Sequence, residues 1–168
     1  MTQKIYITVG FPGSGKSTWA KEMARDPETV IICKDSIRYM LKGKYIFDPI
    51  YEPLVSEIVK TTFTDALIAG FNIILDETHI TKEKRIKYFQ QLEECRLPVN
   101  PEIICVWFTE NEKNLEYRMR DPRGYTDIKW NEVISAMKNK FEEPLKKEGF
   151  NQIIKISSQD IEASPCEI

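Results

Sequence analysis

Apolar residues in this chain form short unbroken runs, separated by stretches in which they recur every three or four positions. That is the alternation of buried strand and amphipathic helix expected of an α/β fold. Lys4–Gly10, Thr29–Cys33, Phe71–Leu75, Glu102–Phe108 and Gln152–Ile156 predict strands. The run EIICVWF at 102–108 is nearly all apolar, as for a strand covered on both faces by helices in a parallel sheet. Helices are predicted over about Lys16–Arg25, Asp35–Lys42, Ile50–Ala69, from Thr81 onward, Asn111–Arg120 and Ile128–Phe141. Asp26-Pro27 ends the first of these, and Gly70 closes the third. Asp35 and Thr81 stand where helix caps belong. In the third helix Leu54, Ile58, Phe63 and Leu67 share related faces. In the helix after Thr81, Lys84, Arg85 and Lys87 oppose Ile86, Phe89 and Leu92. The expected architecture is a parallel sheet sandwiched by helices, one domain over residues 1–168, with a loose tail at 158–168.

Composition narrows the function classes. With 42% hydrophobic and 30% charged residues the chain reads as an ordinary globular protein. Its apolar runs are far shorter than the ~20 residues of a membrane span, and no signal peptide is expected. Twenty-six acids against twenty-four bases give no basic footprint for coating nucleic acid, so any such substrate should be gripped locally, at an end. Cys33, Cys95, Cys105 and Cys166 form no C-x-x-C pair, and His79 is the single histidine. Free thiols in a cytoplasmic protein are expected rather than a zinc site.

The chemistry starts at residues 10–17, where Gly-Phe-Pro-Gly-Ser-Gly-Lys-Ser fits G-x-x-x-x-G-K-[ST] between a predicted strand and helix. Glycines let the backbone aim its N–H groups inward at an anion, and the helix N-terminus adds its positive end. Gly10, Pro12, Gly13, Ser14, Gly15, Lys16, Ser17 and Thr18 are the expected nucleotide-binding residues. Lys16 should reach the β- and γ-phosphates and Ser17 should ligate Mg²⁺. A chance match would occur in roughly one chain in 200 of this length, so the expectation is a P-loop nucleoside triphosphate hydrolase fold of adenylate-kinase-like type. No N-K-x-D or T-K-x-D sequence is present, which favours an ATP-using kinase over a GTP switch.

Asp35 and Arg38 follow the second strand, at the sheet edge that should face the P-loop. Asp35 could accept the proton of an attacking hydroxyl and Arg38 could hold an acceptor anion. An N-cap with a surface i,i+3 ion pair is the competing reading. Asp76, after the third strand, stands where an acid would orient Mg²⁺ water or an acceptor; a carboxylate capping the next loop is its alternative.

Gly10–Ala20 (GFPGSGKSTWA) with Asp35…Arg38 resembles the 5′-kinase module of bacteriophage-type polynucleotide kinases. Asp76-Glu77-Thr78-His79 is similar to that family's Asp-x-Thr-Asn element, and Leu115…Arg118 with Arg123-Gly124 is similar to its arginine-bearing lid. The similarity spans about the first 145 residues. It implies a helical lid at about 111–127, Asp35 as general base, and Arg38, Asp76 and Thr78 at the acceptor. It also implies Lys16, Arg118 and Arg123 on the transferring phosphoryl, with ATP as donor and a DNA or RNA 5′-OH end as acceptor. The chain departs from the pattern at His79, where the family has Asn, and in an inserted Arg120-Asp121-Pro122. No Asp-x-Asp-Gly-Thr motif is present, so phosphatase activity is not expected.

Two other functions fit the same parts: a kinase for a small acceptor (a nucleoside, sugar or antibiotic), and a non-enzymatic nucleotide-binding module in which Asp35 is only a cap. Mobile arginines beside Gly124 suit a closing lid, and Arg120 is the one of the three expected to be merely a solvated helix end. His79 is expected to be structural or solvated. Trp19, Phe47 and Tyr51 could stack on a base, but a core role is expected for each. The Lys82–Lys87 cluster reads as a solvated helix face.

Overall fold

The computed structural model describes residues 2–109, 118 and 125–157. Its five strands are β1 (Lys4–Val9), β2 (Thr29–Ile32), β3 (Asn72–Leu75), β4 (Glu102–Phe108) and β5 (Gln152–Ile156). They form one parallel sheet in the order β2-β3-β1-β4-β5. β1 is central, with Ile5 opposite both Ile73 and Ile103. Helices are α1 (Lys16–Met23), α2 (Lys34–Lys42), α3 (Glu52–Ile68), α4 (Lys82–Cys95) and α5 (Asp127–Lys138), with a 3₁₀ turn at Lys146–Glu148.

The two-residue period of β1 sorts its side chains between two cores. Ile5, Ile7 and Val9 pack with Val59, Phe63 and Leu67 of α3 and Tyr88 of α4. Tyr6 packs on the other face with Ile74, Val106, Phe108 and Ala20 of α1, against Trp19. Each face of the sheet thus carries helices, which is why its strands read as unbroken apolar runs. Among the described residues no helix is long and apolar enough to cross a membrane.

Several boundaries differ from the sequence expectation for local reasons. α3 starts at Glu52 rather than Ile50, because Asp48 holds the preceding turn through Tyr51 N–H (2.9 Å) and Ile50 N–H (2.9 Å). Its buried stripe is Val55, Val59, Phe63, Ala66 and Leu67, whereas Leu54 is half exposed. One residue of offset rotates a side chain by about 100° around the helix. Asp35 is not a cap: Cys33 occupies that position, and Asp35 lies in the first turn of α2. Thr81 does precede α4, but the Glu142 carboxylate, and not its hydroxyl, accepts the Lys82 N–H (2.7 Å). Arg85, read as part of a solvated face, is fully buried. The expected helix Asn111–Arg120 lies outside the described residues except for Arg118.

Candidate active site

The loop after β1 carries the site. Gly10 N–H donates to the Thr78 carbonyl (3.0 Å), fastening the loop to the segment after β3. A Cβ at Gly10 would come within 2.9 Å of both the Phe108 carbonyl oxygen and Ser14 Oγ, so only glycine fits. Gly15 turns the chain into α1 at φ 92°, a left-handed conformation. No side chain caps α1 and no acid sits in its first turn, which leaves its positive end to an anion. Lys16 is buried on its own loop, with Nζ donating to the Phe11 carbonyl (2.8 Å) and Ser14 Oγ (3.3 Å). Pro12 and Ser14 are buried, Gly13 is half-buried, and Ser17 and Thr18 are exposed at the start of α1.

Asp76, at the end of β3, is buried next to this loop. Burial raises its carboxyl above the usual range; a hydrogen bond from Ser17 and the nearby Lys16 ammonium oppose that rise, while the charges of Asp35 and Glu77 add to it. Thr78 is half-buried, and its backbone ties the cradle down. Arg118 reaches the loop from 106 residues away: it is buried, with Nε donating to the Pro12 carbonyl (2.7 Å). Arg123 and Arg120 lie outside the described residues.

One sheet position over, at the end of β2, Asp35 is half exposed and its Oδ1 accepts from Arg38. Arg38 is buried, and its Nε and second terminal nitrogen form a fork on Glu52 of α3 (2.7 and 2.8 Å). That hydrogen-bonded fork holds the guanidinium charged, with Asp35 adding to it. The Arg38 guanidinium carbon also lies 5.4 Å from the Phe47 ring centroid and 5.9 Å from that of Tyr45. The i,i+3 pair was legible in the sequence. Glu52 was missed, because nothing local marks a carboxylate across a loop as a partner.

The remaining candidates separate clearly. Trp19 is a core residue, edge-on to Tyr6 and Phe108. Tyr51 is half-buried and takes the Lys42 ammonium at its hydroxyl (2.7 Å). Phe47 is not core but 61% exposed. His79 is fully buried and not solvated, with Nδ1 2.8 Å from the Thr8 carbonyl. Among the described residues no group of three or more His, Cys, Asp or Glu gathers to hold a metal ion.

Residues 5–144 match the family model described as an AAA domain. The fold is similar to a chain of the Pnkp1/Rnl/Hen1 RNA repair complex (TM-score 0.65, 24% identity, 84% of this chain and 47% of that one). It is also similar to a fungal RNA kinase (TM-score 0.61, 15% identity, 93% and 75%) and to a gluconokinase from Sinorhizobium meliloti (TM-score 0.53, 15% identity, 98% and 84%). This chain spans just under half the length of the RNA-repair chain it matches.

Proposed function

The chain belongs to the AAA domain family, and from that premise we propose an ATP- and Mg²⁺-dependent kinase that phosphorylates the 5′-hydroxyl end of a polynucleotide. The observation that carries this reading is the meeting of the phosphate cradle, Asp76 and the Asp35–Arg38 pair at the carboxyl ends of three adjacent strands. The RNA-repair and RNA-kinase neighbours support it at the level of fold.

On this reading the cradle N–H groups and Lys16 bind the donor phosphates, while Arg118, docked on Pro12, approaches the same charge. Arg123 is proposed to join it. Ser17 and Asp76 offer a hydroxyl and a carboxylate oxygen, a donor set that fits Mg²⁺ completed by phosphate and water. Bound there, Mg²⁺ would neutralise negative charge on the donor phosphates. The acceptor oxygen forms its bond to the γ-phosphorus as the bond to the β-phosphate oxygen breaks, and its proton passes to Asp35. Arg38 takes Asp35 Oδ1, so Oδ2 is the oxygen that would accept the proton. The fork to Glu52 and the bond to Asp35 use three of the five N–H donors of a guanidinium. The other two suit a phosphate oxygen of the acceptor, with Thr78 beside it. A cytoplasmic location is part of this proposal.

A second reading, a kinase for a small acceptor, is favoured by the fork itself, since Arg38 already has a protein partner in Glu52. The gluconokinase neighbour agrees with it at the level of fold. Transfer of labelled γ-phosphate from ATP to 5′-OH oligonucleotides, 3′-phosphorylated nucleosides, plain nucleosides and sugars separates the two. Labelling of the first two alone, lost by at least tenfold in Arg38→Ala, is the expected result. Labelling of a sugar or nucleoside alone, unaffected by Arg38→Ala, would replace the polynucleotide with a small acceptor. Full turnover in Asp35→Asn would remove Asp35 from the chemistry.

A further inference from the structure

Phe47 stands at the edge of the candidate acceptor site: it is 61% exposed, and its ring centroid lies 5.4 Å from the Arg38 guanidinium carbon. It belongs to a stretch that leaves Tyr39, Met40, Ile50 and Leu54 exposed as well, which is costly to keep in water without a use. The surroundings are basic: Lys42 and Lys44 are exposed, and Lys42 lies 4.0 Å over the Tyr51 ring. Aromatic faces interleaved with lysines suit stacked bases joined by phosphates. The distance from Arg38 sets the register. A nucleotide whose phosphate meets the Arg38 guanidinium carries its own base within one nucleotide's reach of Phe47.

We propose that Phe47 is a stacking surface for the base of the acceptor's terminal nucleotide, and so a specificity-determining residue of the site. This deepens the polynucleotide reading and rests on it. Stacking of one base on one aromatic ring is worth roughly a tenfold or greater preference for an acceptor that has the base. The discriminating acceptors are a 5′-OH oligonucleotide and the same oligonucleotide with an abasic 5′-terminal residue.

The ratio of their kcat/KM values is measured for the unaltered chain, Phe47→Ala and Phe47→Trp. The expected ratio is about ten or more for the unaltered chain and for Phe47→Trp, falling close to one in Phe47→Ala. An unchanged ratio in Phe47→Ala, or a ratio near one in the unaltered chain, overturns the assignment while leaving the kinase reading standing. Concentration-dependent self-association that Phe47→Ala abolishes, with the ratio unchanged, would make the patch a contact between copies and overturn it too. Absence of transfer to every oligonucleotide would sink both the polynucleotide reading and this one.

Discussion

At the scale of single residues, the cradle was legible because its demands are local. A position where any Cβ would come within 2.9 Å of two oxygen atoms leaves a mark in the sequence as a glycine. Gly10→Ala should therefore destabilise the chain by about 1–3 kcal/mol, and weaken ATP binding as the loop shifts. Chemical denaturation and nucleotide titration measure the two effects. His79 was only partly legible. It sits at φ 39°, in the left-handed region that Asn tolerates better than most residues, which accounts for an Asn in the resembled motif. With Nδ1–H donating to the Thr8 carbonyl, the ring is the neutral tautomer and Nε2 is buried without a partner. Burial lowers its pKa from 6.5 to about 4. Above pH 6.5 the ring is neutral in both folded and unfolded chains. As the pH falls from 6.5 to about 4 the unfolded chain takes up the proton first, so about 3 kcal/mol of stability is lost across that window. Urea denaturation against pH should show this loss in the unaltered chain and a flatter profile in His79→Asn.

Elements were read well in kind and less well in function. Two of the five strands match to the residue, Glu102–Phe108 and Gln152–Ile156; the first is covered on both faces, whereas the second is an edge strand with Gln152 and Lys155 exposed. Helix ends shifted by one to three residues where turns and caps decide, and the buried stripe of α3 shifted with them. The larger miss is α4. Its Lys-Arg-Ile-Lys pattern reads as a solvated face, yet Arg85 forks onto Glu148 (2.7 and 2.8 Å) and donates to the His79 and Glu142 carbonyls (2.9 and 3.0 Å). The partner is 63 residues away, on a 3₁₀ turn that has no periodic signature. Through this arginine, and through Glu142 N–H on the Ile80 carbonyl (2.8 Å), the segment after α5 braces the loop that holds Asp76 and Thr78. Both side chains of the pair are fully buried, so Arg85→Met should cost about 3–5 kcal/mol by stranding the Glu148 carboxylate. Arg85→Met with Glu148→Leu should recover part of that loss, and equal destabilisation of the single and double variants in urea would contradict the pairing argument.

At the scale of the whole molecule, charge decides how a polynucleotide could be held. The chain carries a formal net charge of −2, so its overall field does not attract a polyanion. The buried arginines among the described residues are already committed: Arg38 to Asp35 and Glu52, Arg85 to Glu148, and Arg118 to the Pro12 carbonyl. Among the described residues, what this site offers an acceptor strand is local: the unused Arg38 donors, the nearby lysines 42 and 44, and the exposed rings around them. Each phosphate neutralised on a single strand contributes about −0.7 to the slope of log affinity against log salt. A grip on one to three phosphates thus predicts a slope between roughly −0.7 and −2, with affinity nearly independent of strand length beyond a few nucleotides. Titration of 5′-OH oligonucleotides of increasing length between 50 and 200 mM salt, conditions that span a large range of screening, reads both quantities. A slope steeper than about −4, growing with length, would mean a long basic track, and would contradict the local grip inferred from charge. A shallow slope combined with loss of binding when the 5′ end is blocked would fit a molecule that recognises an end by a few committed contacts rather than a strand by its charge.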